Sequence, residues 1–294
     1  MPHQLNWQEI CQMIPKRKAD AQKGDFGRLL CITGSRNMPG ACLLSTQAAL
    51  RGGAGLVTVA TAPENPMRLA AAAPEAMWLP LETDEAGFLR SSDQNRKTLE
   101  KQLSRANAVL LGCGLGVTEE TRRLVHWVLE QAVCPVVLDA DGLNCAVPCI
   151  ELSRRTGKDW ILTPHPGEMA RLTGHSIPQI QENRVETATQ FAAAYPVTLA
   201  LKGAGTLVAQ GSRLAQNPTG NPGMSRGGSG DVLAGLIAAF AAQGIPSWET
   251  ACAGVYLHGL AGDAAAAALS QQAMLPRDLL VYLPQVLVKL EQER

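Results

Sequence analysis

After a polar start, short apolar runs alternate with longer stretches of helical period. Arg28 to Thr33, Leu56 to Ala60, Ala108 to Leu111, Val136 to Asp139, Trp160 to Thr163 and Val197 to Leu201 are strand-like runs, mostly apolar at successive positions. A strand of that kind must be covered on both faces, which predicts a buried parallel sheet under helices. Gly40 to Arg51, Ser92 to Leu103, Glu119 to Glu130, Pro178 to Ala194 and Asp231 to Gln243 carry helical patterns between and after these runs, in βαβα order. Gly205 to Ala209, a turn at Gly211 and Ser212, and Arg213 to Gln216 predict a hairpin, so part of the sheet should be antiparallel. Two alanine-rich patterns, Trp248 to Leu269 and Pro276 to Leu290, predict closing helices. The expectation is an α/β fold with a mostly parallel central sheet, spanning 1–294 as one domain.

A hydrophobic fraction of 46% over 294 residues suffices for a large core. Lys plus Arg and Asp plus Glu both total 26, so there is no basic excess to neutralise a nucleic-acid backbone, and no such partner is expected. The eight cysteines lie mostly in apolar runs without CxxC spacing, and read as small core residues of a reducing compartment. The N-terminal segment lacks the apolar stretch of a signal peptide, and no apolar run is long enough to span a bilayer. These features predict a soluble cytoplasmic protein without a membrane partner.

In open α/β sheets, ligands collect beyond the carboxyl ends of the strands, and the residues there are unusual. Asn221 to Gly235 reads NPGMSRGGSGDVLAG, a glycine-rich turn that leads into an apolar helix with Asp231 in its first turn. Backbone amides of Gly227, Gly228, Ser229 and Gly230 predict an anion hole at the positive helix end. A carboxylate repels phosphate, so Asp231 is better read as acceptor for a substrate hydroxyl proton than as an anion ligand. The competing reading is a carboxylate that only complements the helix dipole.

The other strand ends each leave alternatives open. GCGLG (Gly112 to Gly116) either lets a backbone approach a ligand or forms a plain turn. Asp139 and Asp141 in DADGLN either hold Mg²⁺ or a ribose hydroxyl, or serve as turn and cap. In TPHPGE, two prolines stiffen the backbone around His165, and Glu168 is either a weak Mg²⁺ ligand or a helix-terminal carboxylate. KGAGT offers Lys202 as a point charge for phosphate, Gly203 and Gly205 for close approach and Thr206 as a hydroxyl donor, or else it opens a hairpin. Arg226 either reaches a phosphate or is solvated. In MPGA, Gly40 and Ala41 either leave space for a ligand ring or allow tight helix packing.

Together, KGDFGRLL, MPGA, AALRGGAGLV, LDADGLN, LTPHPGEMARL, LKGAGT and NPTGNPGMSRGGSGDVLAG resemble the ADP-dependent (S)-NAD(P)H-hydrate dehydratases of the ribokinase-like superfamily, from about Lys23 to the C-terminal helices. The resemblance implies a ribokinase-like three-layer αβα sandwich. It implies repair of hydrated NADH or NADPH with ADP as co-substrate and Mg²⁺ as cofactor, giving AMP and phosphate. By motif position, Ala41, Gly114, His165 and Asp231 should contact the hydrated dinucleotide, while Lys202, Gly203, Ala204, Gly205, Thr206 and Gly230 should hold the adenine nucleotide. It further implies a homo-oligomer, with a homotetramer among the forms expected. Only about two dozen residues precede the first motif, which predicts reliance on a separate NAD(P)H-hydrate epimerase. The alternative within the superfamily is an ATP-dependent small-molecule kinase.

Overall fold

The computed structural model describes residues 2–156 and 159–294. Ten strands form one sheet: β1 (His3–Gln4), β2 (Arg28–Ile32), β3 (Leu56–Thr61), β4 (Met77–Pro80), β5 (Ala108–Leu111), β6 (Val136–Leu138), β7 (Trp160–Leu162), β8 (Val197–Leu201), β9 (Leu207–Gln210) and β10 (Arg213–Gln216). Their spatial order is β1-β10-β9-β8-β7-β6-β5-β2-β3-β4. All pairings from β4 across to β8 are parallel, and β8–β9 and β9–β10 are antiparallel. The predicted hairpin closes through Gly211 and Ser212, with Gln210 opposite Arg213 in the register.

Alternation within each strand explains why both faces are apolar. Leu29 and Cys31 of β2 belong to one buried cluster, while Leu30 and Ile32 belong to the other. The helices Pro39–Arg51, Ser229–Ala242, Ser247–Leu269 and Pro276–Glu293 cover the first face. Asp93–Leu103, Glu119–Gln131, Pro166–Thr173 and Arg184–Ala194 contribute to the second. This is the three-layer arrangement the apolar runs predict.

Ser229–Ala242 is apolar all round and is correspondingly buried nearly throughout. It packs against Pro39–Arg51, Ser247–Leu269 and strand β5. A Cβ placed on Gly235 would lie 2.2 Å from the Ser45 carbonyl oxygen, so glycine there sets the approach of the first two helices.

The single helix expected over Pro178 to Ala194 is instead two, Ile177–Glu182 and Arg184–Ala194. Asn183, at φ −125° and ψ 39°, leaves the helical region and breaks it. Strands β1 and β4 and the short helices Trp7–Met13 and Asp141–Ala146 have no counterpart among the predicted elements.

Candidate active site

The chain runs from β2 outward to β4, then crosses back to place β5 on the other side of β2. This reversal puts a crevice beyond the carboxyl ends of β2 and β5, where open α/β sheets bind ligands. The two connections are stitched together: the Gly34 amide donates to the Cys113 carbonyl at 2.8 Å, and the Ser35 amide to the Gly114 carbonyl at 2.7 Å. Gly114 has φ 66°, and a Cβ on it would meet the Ala41 Cβ at 2.9 Å. Ala41 and Gly114, far apart in sequence, therefore stand face to face at the crevice.

Beside the crevice opens a cavity of about 880 Å³, within the size range of small-ligand sites. Lys202 through Thr206 form one wall, and Asn217 through Pro222 with Met224 through Asp231 form another; His165, Glu168 and His258 also line it. Ala41 and Gly114 do not line this cavity. Asp231 does, and its carboxylate also lies within 4.8 Å of the Cys113 thiol of the crevice loop, which itself donates to Asp139 Oδ2 at 3.8 Å. Asp231 thus stands between the cavity and the crevice.

The helix Ser229–Ala242 starts at this point. Its N-cap is Gly228 at φ 106°, a conformation that strains any side chain. The amides of Gly227, Gly228, Gly230 and Asp231 have no acceptor among the described residues, whereas the Ser229 amide donates to the Arg226 carbonyl at 3.2 Å. The Ser229 Oγ is buried without a partner. The free donors are therefore the expected glycines plus the amide of Asp231 itself, with Ser229 able to contribute only its hydroxyl. His258, from the helix Ser247–Leu269, supports the turn: its Nε2 lies 3.0 Å from the Ser229 carbonyl. Burial, opposed in part by this bond, pushes its pKa down to about 4, so the ring is neutral and Nε2–H donates.

Burial also raises the Asp231 carboxyl to about 6, with Asp139 repelling its charge and the Cys113 and Lys202 contacts opposing the shift. Asp231 is ionised at neutral pH yet close enough to neutrality to accept a proton.

Lys202 donates to Asp139 Oδ1 at 2.7 Å and lies 3.8 Å from Glu168 Oε2. Burial disfavours its charge, but Asp139 and Glu168 outweigh this and hold the ammonium above its usual range. Thr163 Oγ1 donates to the same Asp139 oxygen at 2.7 Å. Asp139 is almost fully buried and so depends on these donors. Asp141 points elsewhere, accepting from the Gly116 amide at 2.8 Å, so the two aspartates of DADGLN do not act as a pair. Between them Ala140 sits at φ 49° and ψ −119°, a strained conformation for a residue with a Cβ, directly beside Asp139.

His165 caps the helix Pro166–Thr173, its Nδ1 accepting from the Gly167 amide at 2.9 Å. Glu168 closes the capping box through the His165 amide at 2.7 Å. Burial, moderated by Lys202, pushes Glu168 up to about 7. Burial together with Lys202 and Arg171 lowers His165, leaving it neutral. In the KGAGT loop the Thr206 hydroxyl donates to the Gly203 carbonyl at 3.0 Å. The opposite loop is held by Asn217, which donates to the carbonyls of Thr219 and Val255, and by Asp263, which accepts from Gly220 and Asn221.

Cys113, Asp139 and Asp231 bring their ligand atoms within 4.8 Å of one another. A thiol is a poor ligand for Mg²⁺, and Lys202 already engages Asp139, so these groups do not form a closed Mg²⁺ cage. They do fit a Mg²⁺ that keeps water and phosphate oxygens as most of its shell and takes one or two carboxylates from protein.

Sequence reasoning misses Cys113 and His258 at the site. It singles out Asp139 without pairing it with Lys202. The glycines of GCGLG draw attention away from Cys113, and His258 is one histidine in a long apolar helix with no motif around it.

The mostly parallel sheet, the reversal between β2 and β5 and the carboxylate at a glycine-rich helix start define a ribokinase-like α/β protein. A model of the NAD(P)H-hydrate dehydratase family matches residues 29–285, and the chain belongs to that family. It is 43% identical over 281 residues to the bifunctional NAD(P)H-hydrate repair enzyme of Moorella thermoacetica, covering 95% of this chain and 53% of that one. It is 36% identical over 280 residues to the ADP-dependent (S)-NAD(P)H-hydrate dehydratase of Xanthomonas campestris, covering 95% and 93%. The solved ADP/ATP-dependent NAD(P)H-hydrate dehydratase of Bacillus subtilis, co-crystallised with ATP and Mg²⁺, superposes with a TM-score of 0.82 at 31% identity, covering 99% of each chain. The chain spans about half the length of the first of these relatives and nearly all of the other two.

Proposed function

We propose that this chain dehydrates (S)-NADH hydrate and (S)-NADPH hydrate back to NADH and NADPH at the expense of ADP, releasing AMP and phosphate. The observation that carries the reading is Asp231, placed between a nucleotide-sized cavity with free helix-end amides and the crevice of Ala41 and Gly114.

ADP lies in the cavity against Lys202, Gly203, Ala204, Gly205, Thr206 and Gly230, with its terminal phosphorus at the helix start. A Cβ on Gly230 would come 3.3 Å from the Lys202 ammonium, so glycine there keeps room at that charge. The hydrated nicotinamide ring occupies the crevice beside Ala41 and Gly114, and His165 contacts the dinucleotide at the cavity wall. Asp231 orients the ring hydroxyl and accepts its proton as the oxygen bonds to the terminal phosphorus of ADP and the bridging P–O bond breaks, releasing AMP. The amides of Gly227, Gly228, Gly230 and Asp231 stabilise charge on the phosphoryl group in transit. The ring nitrogen then pushes out phosphate, the adjacent ring carbon loses a proton, and the double bond is restored. Phosphorylation matters because hydroxide leaves poorly and phosphate well. Mg²⁺, held by the nucleotide phosphates with Asp139 and, more weakly, Glu168 within reach, would offset phosphate charge. The chain acts as one domain, in the cytoplasm and as a homo-oligomer.

The test is to mix the protein with Mg²⁺, hydrated NADH and ADP, and to follow the near-ultraviolet nicotinamide band together with AMP. Equal molar amounts of restored NADH and AMP are expected. A stable phosphorylated product without return of the band would identify a kinase instead.

A further inference from the structure

Six charged or titratable side chains besides the neutral His258 line the cavity: Asp139, His165, Glu168, Lys202, Arg226 and Asp231. Lys202 is already engaged by Asp139 and approached by Glu168, and His165 is neutral. The carboxylates therefore match or exceed the bound positive charge, in a site meant for a polyanion. Arg226 is the exception. It forms no ion pair among the described residues, and its one side-chain hydrogen bond is from Nη2 to the Gln272 carbonyl. Gln272 lines a neighbouring surface pocket, so Arg226 borders both that pocket and the cavity, and the bond leaves its remaining N–H donors unspent.

The position in the chain is equally specific. Arg226 directly precedes the glycine turn, and its own carbonyl accepts the Ser229 amide at 3.2 Å. Its backbone is thus part of the turn that bears the free amides of Gly227, Gly228, Gly230 and Asp231. The buried, partnerless Ser229 Oγ in the same turn marks a place where a polar group from outside the chain is awaited.

We propose that Arg226 is a phosphate-binding residue that engages the terminal phosphate of the nucleoside diphosphate, supplying the positive charge that Lys202 cannot. The inference rests on the reading of this helix start as the phosphoryl-transfer site. It places Arg226 at the phosphate that moves, and away from the α-phosphate, which ADP shares with AMP. A guanidinium suits this role because its planar fork matches two phosphate oxygens and it remains charged at any working pH.

The test is calorimetric titration of the intact protein with ADP and with AMP in the presence of Mg²⁺, for wild type, R226A and R226K. R226A should weaken ADP by about tenfold or more, the scale of one charge-assisted hydrogen bond, while AMP stays within about twofold. R226K should recover part of the loss, since lysine restores charge without the fork. It also carries the comparison if R226A does not fold. ADP affinity unchanged in R226A, or ADP and AMP weakened together, would overturn the assignment, the second outcome showing that Arg226 only supports the loop. Wild-type protein that binds neither nucleotide would overturn the phosphoryl-transfer reading along with it.

Discussion

The proposed reaction turns on Asp231, a carboxyl group raised to about 6 first by burial and then by the Asp139 charge. As the proposed base it must be ionised to act, so turnover should fall as pH drops through about 6. D139N, which removes a repelling charge, should move this acid limb to lower pH; an unmoved limb would mean another group controls it. D231N should lower turnover by at least about 10²-fold, in the range for loss of a general base, with ADP affinity nearly unchanged. The same shift affects stability. A carboxyl with a folded pKa above its unfolded value contributes full stability only below the unfolded pKa, near 4, and loses it as pH rises through about 6. D231N, which cannot ionise, should therefore be more stable than wild type at pH 8, by about 1–3 kcal/mol, and the difference should vanish near pH 3 in denaturant titrations. At this scale the sequence marks Asp231 well, because glycines and an acid in a helix start form a local pattern. It does not reveal that Asp139 faces Lys202, 63 residues away, or that His258 props up the turn, because those contacts are made by the fold and leave no local trace.

The helix Ser229–Ala242 carries that carboxylate and is locked in place by close packing. Alanine at position 235 would favour the helix by about 1 kcal/mol on propensity alone. Yet its Cβ would lie 2.2 Å from the Ser45 carbonyl, and overpacking of this kind costs about 1–3 kcal/mol or more. Sterics should win: G235A should lower the denaturant midpoint and reduce turnover, by displacing the helix start. A variant more stable than wild type would show that the two helices can separate freely. The six long apolar runs and the hairpin are legible because central strands buried on both faces have an unmistakable composition. Strand β4 is not, being a short, partly exposed edge segment with a proline. The break at Asn183 escapes because the apolar period continues through it.

Over the whole molecule, the reversal of strand order between β2 and β5 places the crevice, and the loops after β7, β8 and β10 build the cavity beside it. The three-layer sandwich is readable in the sequence through its βαβα order, and the convergence of strand-end residues on one edge follows from the parallel sheet. How those residues divide between cavity and crevice is not readable, since it depends on strand order. The central claim is that the ring hydroxyl leaves as phosphate. Hydrated NADH carrying ¹⁸O in that hydroxyl, turned over with unlabelled ADP in unlabelled water, tests it directly by mass spectrometry of the products. One labelled oxygen should appear in each released phosphate; unlabelled phosphate, with the ¹⁸O in water, would contradict the account.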